Sequence, residues 1–142
     1  KYKKNKGGFN VGISFGVGYE ILESAVELNA GILWRLWRHN SIFNVTTGAS
    51  YMRTVGTNFV NIPFVINWNM VRSNSGSMYM GLGTEFSISF AEYNSYSRSL
   101  YFDFPIVYQW GLGWRHSDFS FYLKYYVGYE LCTMGLRYAY LF

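Results

Sequence analysis

The stretch CTMGLRYAYLF, residues 132–142, alternates without a slip. Cys132, Met134, Leu136, Tyr138, Tyr140 and Phe142 fall on one side of an extended chain, and Thr133, Gly135, Arg137 and Ala139 on the other. Successive side chains of a strand point to opposite faces, so this segment reads as an amphipathic strand. One such strand decides little, because soluble sheets alternate as well. The pattern, however, recurs seven more times, at about 9–21, 25–37, 42–52, 58–70, 77–90, 101–115 and 118–129.

In these eight segments the apolar face carries no Asp, Glu, Lys or Arg. Every strand charge (Glu20, Glu27, Arg35, Glu85, Asp103, Arg115, Lys124, Arg137) has the opposite parity, among Gly, Ser and Asn. Each span is long enough to cross a bilayer, which takes about 9–11 tilted residues. An even number of alternating strands marks a transmembrane barrel. The sheet must close, because lipid cannot satisfy an open edge. The expected fold is therefore an all-β, eight-stranded antiparallel up-and-down transmembrane β-barrel over 9–142, with 1–8 as a periplasmic N-terminal tail.

Composition agrees with a two-faced sheet. Only 14% of the 142 residues are charged, aromatics reach 22%, and mean hydropathy is close to zero. A soluble barrel of lipocalin type would turn the same apolar face inward. That would crowd more than about forty mostly large side chains into a lumen too small for them. It would also leave a water-facing surface poor in charge. No run of 18 apolar residues suggests a helical span. The chain opens at Lys1, as a mature or trimmed product would. The net charge of +4 comes largely from Lys1, Lys3, Lys4 and Lys6, and no basic stripe points to nucleic acid.

Depth along the strands places Trp34, Trp68, Trp114, Tyr140 and Phe142 near one membrane boundary. Tyr19, Tyr51, Phe90, Phe102 and Tyr129 lie near the other, as in the aromatic girdles of such barrels. The connections are short, and the longest, 91–99, is read as a loop on the side away from the termini. No loop is long enough for a lid or a plug, and no strands are expected to project.

An eight-stranded lumen is filled by side chains, so no open channel is expected. Glu85, Gln109, Tyr122, Lys124, Tyr126 and Arg137 should meet in its middle as a polar network. Glu20, Glu27 and Asp103 form a second acidic level near the outer mouth, with no basic residue expected at that depth. They are a candidate for a cation, or are simply hydrated there. No catalytic site is apparent. His39 and His116 sit in turns, Asp118 reads as a turn residue, and nothing supplies an oxyanion site. The single Cys132 offers no disulfide and no thiolate metal site, and reads as a small apolar lining residue. No cofactor and no metal are expected.

Several segments resemble the PorT-like outer-membrane β-barrel domain common in Bacteroidota. They are FVNIPFVINW (59–68), YMGLGTEFSISF (79–90), YFDFPIVYQWGLGW (101–114) and LRYAYLF (136–142), with Pro105 where that strand usually carries Gly. The terminal Phe142 likewise resembles the C-terminal assembly signal of outer-membrane barrels. The resemblance implies a small barrel of the Gram-negative outer membrane with periplasmic termini and no catalytic residues. Lipopolysaccharide, phospholipid and another outer-membrane protein against the barrel wall are the expected partners, with a non-enzymatic accessory subunit of a larger complex as the first reading. A lipid-modifying enzyme or lipophile carrier using Glu20, Glu27, Asp103 and Tyr129 is the second, and a stand-alone OmpX-like barrel the third.

Overall fold

The protein is described from a computed structural model, which defines residues 9–21, 24–36, 41–54, 57–94, 97–126 and 131–142. The tail 1–8, His39 and Tyr129 lie outside the described residues, as does the side chain of Phe90.

Nine β-segments follow in order: β1 (Phe9–Glu20), β2 (Ala25–Leu36), β3 (Phe43–Thr54), β4 (Thr57–Arg72), β5 (Gly76–Asn94), β6 (Ser97–Asp103), β7 (Ile106–Trp114), β8 (Ser117–Tyr126) and β9 (Leu131–Leu141). Each pairs antiparallel with its neighbours, and β1 pairs with β9, so the sheet closes on itself. Eight staves result rather than nine, because β6 and β7 share one stave. Both pair with β5, β6 from Asp103↔Ser87 outward and β7 from Ile106↔Thr84 inward. The expected single strand 101–115 is thus interrupted at Phe104 and Pro105. Proline has no N–H to donate to a ladder and is confined to such breaks. Thr84 Oγ1 donates instead to the Pro105 carbonyl at 2.9 Å.

Pro63 causes a second irregularity. The β3–β4 ladder skips from Thr46↔Val65 to Ser50↔Asn61 around it. Gly48, in the gap, adopts φ +146°, and a Cβ there would strike the Ile32 carbonyl. Only glycine serves at that position.

The segment 91–99, expected as a loop, largely continues the hairpin instead. Ala91↔Ser99, Glu92↔Arg98 and Asn94↔Ser97 are paired, whereas the β4–β5 ladder ends at Asn58↔Phe90. A short two-stranded projection therefore does exist, and it leaves the barrel on the side away from the termini.

The direction of the apolar face is unambiguous. Leu136 is 63% exposed, Leu82 62% and Trp110 49%, while Asn67, Thr46 and Glu27 are fully buried. The soluble, inside-out alternative is excluded by this inversion. One detail differs from expectation: β3 extends past Met52, and the alternation puts the charged Arg53 on the outward face.

Closure is tight at the termini. Leu141 N–H donates to the His116 carbonyl at 2.7 Å, and His116 Nδ1 lies 2.7 Å from the Leu141 carbonyl. Phe142 N–H reaches the Val11 carbonyl at 2.8 Å, and the His116 ring stacks on Tyr140.

Candidate functional site

Among the described residues the lumen holds two charged clusters rather than one. Nearer the termini, Arg35 on β2 forms an ion pair with Asp118 on β8, both almost fully buried. Tyr79 OH donates to the other Asp118 oxygen at 2.6 Å, and Arg35 lies over the Tyr79 ring. Asp118 is therefore a lumen anion and no mere turn residue. Its position at the start of a strand hid this role in the sequence. Arg35 also donates to Thr46 Oγ1, which accepts from Asn67 Nδ2 at 2.7 Å. Asn67 links Gln109, Asn44 and, through Asn44, Asn69 into one hydrogen-bonded ladder. At the upper end of that ladder Arg137 Nη2 donates to Gln109 Oε1 at 2.6 Å, with its guanidinium near the Tyr122 ring.

Farther from the termini, Lys124 sits between two carboxylates. Its Nζ is 3.0 Å from Glu85 Oε2 and 4.0 Å from Glu27 Oε1. Tyr122 OH donates to Glu27 Oε1 at 3.0 Å while accepting from Asn29 Nδ2. Glu27 Oε2 is buried without a hydrogen-bond partner among the described residues.

Of the six residues expected to form one network, Glu85 and Lys124 meet directly, and Gln109 and Arg137 meet directly. Tyr122 stands between the two pairs, and Tyr126 is buried against Ser87. The acidic level near the mouth needs correction, because Lys124 reaches Glu27. Glu20 is buried and receives the Cys132 backbone N–H at 3.4 Å. Asp103 is half-buried, and Cys132 faces outward. Among the described residues no cluster of His, Cys, Asp or Glu could hold a metal ion.

The two clusters approach at a cavity of about 20 Å³ lined by Gln109, Arg137, Tyr122, Lys124 and Glu85. That is room for about one water, far from a pore. Two tyrosines seal the lumen further. The Tyr79 ring lies on Gly111 and the Tyr122 ring on Gly135, so closely that a Cβ at either glycine would meet the ring.

The outer wall offers a different feature. A groove of about 700 Å³ crosses β1, β9, β8 and β7, lined by Phe15, Leu136, Tyr138, Phe119, Trp110 and Leu112. The five expected boundary aromatics, Trp34, Trp68, Trp114, Tyr140 and Phe142, are all exposed on this wall. In the remote girdle Tyr19, Tyr51 and Phe102 are exposed as well.

Solved structures give the same architecture. The N-terminal β-barrel domain of Pseudomonas aeruginosa OprF superposes with a TM-score of 0.60 at 13% identity, covering 94% of this chain and 97% of that one. A barrel from the de novo design of transmembrane β-barrels reaches 0.57 at 12% identity over the whole of both chains. Ail, the attachment invasion locus protein of Yersinia pestis, reaches 0.50 at 13% identity, covering 94% and 96%. At such identities the likeness establishes the fold alone: an eight-stranded antiparallel barrel of outer-membrane type. No family model matches the chain. None of the curated proteins matches it either.

Proposed function

We propose that the chain is a non-enzymatic structural barrel of the outer membrane, and that it seats its lipid-facing wall against a larger membrane protein. The observation that carries this reading is the contrast between a closed lumen and a grooved wall. The interior is occupied by paired charges and amide ladders, with a gap of only about 20 Å³ at its waist. The wall carries an aromatic and aliphatic depression of about 700 Å³. Apolar concavity on that scale suits packing by another protein's side chains. A PorT-like relationship, with termini in the periplasm and lipopolysaccharide and phospholipid as the surrounding lipids, is part of the proposal. Photo-crosslinking residues placed at Phe119 and Leu136, in native membranes, test it. Adducts to one membrane protein are expected there and not from Ile66 across the barrel. Adducts to lipid alone would defeat the reading. Orientation is tested by membrane-impermeant maleimide on intact cells: Ser24→Cys should react, and Asn74→Cys only after lysis.

A second reading is favoured by the projecting β5–β6 hairpin, whose pairing outlasts that of β4. A free-standing barrel could use this projection as its contact surface. Deleting 91–99 would then abolish binding, and the probes at Phe119 and Leu136 would capture lipid alone.

A further inference from the structure

We propose that Arg53, with Asn58 beside it, holds a phosphate of lipopolysaccharide against the outside of the barrel. Tyr51 and Arg53 are exposed while Met52 between them is buried, so the Arg53 side chain leaves the wall on the lipid side. Among the outward-row side chains that the structure describes it is the one with a formal charge; Glu92 and Arg98 share the outward parity on the β5–β6 projection. Backbone register sets it between Leu28 on β2 and Asn58 on β4. Tyr51 OH donates to Asn58 Oδ1 on the same face, which fixes the amide and leaves its Nδ2 hydrogens for another acceptor. No carboxylate of another described residue engages the Arg53 guanidinium.

Depth and chemistry narrow the occupant. A lipid-facing arginine is costly at the bilayer midplane and nearly free at the water boundary. Arg53 is the last described outward side chain of β3 and Asn58 the first of β4, one pair from the end of their ladder at Thr54↔Thr57, which is the boundary. Lipid phosphates lie at that level. The planar guanidinium matches phosphate oxygens with paired N–H donors, and the Asn58 amide adds a third direction of donation. Exposed Leu28, next to Arg53, and Val26 offer the aliphatic contact that the adjoining acyl chain requires. Phospholipid and lipopolysaccharide both present phosphate. With the termini periplasmic, this rim lies in the outer leaflet, where lipopolysaccharide is the lipid. The inference rests on that proposed orientation and is independent of the wall groove.

The test is native mass spectrometry of the full chain, released from detergent after incubation with lipopolysaccharide, its dephosphorylated form, or phosphatidylglycerol. The wild type should retain phosphorylated lipopolysaccharide most strongly. Arg53→Gln should retain about tenfold less, the change expected from losing one charge-assisted contact. Arg53→Lys should fall between them, and unfolding in neutral detergent should be the same for all three. Equal retention by the wild type and Arg53→Gln would overturn the site, as would retention indifferent to dephosphorylation. Preference for phosphatidylglycerol would overturn the lipopolysaccharide assignment. The maleimide labelling then says whether the orientation had failed.

Discussion

Replacing Asp118 by Ala should be among the most destabilising single changes in this barrel. Asp118 and Arg35 are both buried to within a few per cent, so solvent does little to screen the pair. Removing the carboxylate leaves a guanidinium buried beside Thr46 and Tyr79 with no anion, and strips Tyr79 OH of its acceptor. Breaking a buried ion pair from one side costs about 3–5 kcal/mol. The tyrosine hydroxyl left without its acceptor adds about 1–3 kcal/mol if nothing replaces it. Taking the ion pair alone, the folding constant should drop by roughly two to four decades. Reversible urea unfolding in phosphatidylcholine vesicles, followed by tryptophan fluorescence, measures it. The double variant Arg35→Met with Asp118→Leu is the internal control, since apolar replacement of a buried pair is often neutral or better. The double variant still strands the Tyr79 hydroxyl, so adding Tyr79→Phe to it should bring stability back to within about 1 kcal/mol of wild type. The reasoning is refuted if Asp118→Ala costs under about 1 kcal/mol, or if the double variant is as unstable as the single one.

The Lys124 cluster predicts an asymmetry between its two acids. Glu85→Gln loses the 3.0 Å contact and should destabilise by about 1–3 kcal/mol, whereas Glu27→Gln removes an under-satisfied charge and should be neutral or stabilising. The same unfolding assay checks both. Gly111→Ala and Gly135→Ala each push a methyl into a tyrosine ring and toward a backbone carbonyl (Phe119 and Val17), and should cost about 1–3 kcal/mol, with only the ring part recovered by Tyr79→Leu and Tyr122→Leu respectively. On the wall, Leu136→Arg at mid-strand should cost about 2–4 kcal/mol and Ile42→Arg at the rim about 0–1 kcal/mol, both read in vesicles. In planar bilayers the wild type should show no steady open-channel current, because the waist admits about one water.

Much of this protein is written in period-two alternation. The eight alternating segments carry their charges on the Gly, Ser and Asn side, and that parity alone decides which face meets lipid. Leu82, Trp110 and Leu136 on the outside, with Asn67, Gln109 and Lys124 within, follow from it. Eight alternating segments also fix a closed sheet, since an open edge has nowhere to place its backbone groups in a bilayer. What alternation cannot encode is which inward residues meet across the lumen. Asp118 joins Arg35 from 83 positions away because closure and strand stagger bring β8 opposite β2. Lys124 chooses between Glu85 and Glu27 for the same reason, through an offset set by ladder register rather than by position along any single strand. Where strands end is likewise a tertiary matter. Hairpin pairing carried the chain through 91–94 and 97–99, and it extended β3 to expose Arg53, although local composition read as turn. Parity is a property of the chain, whereas stagger belongs to the closed sheet.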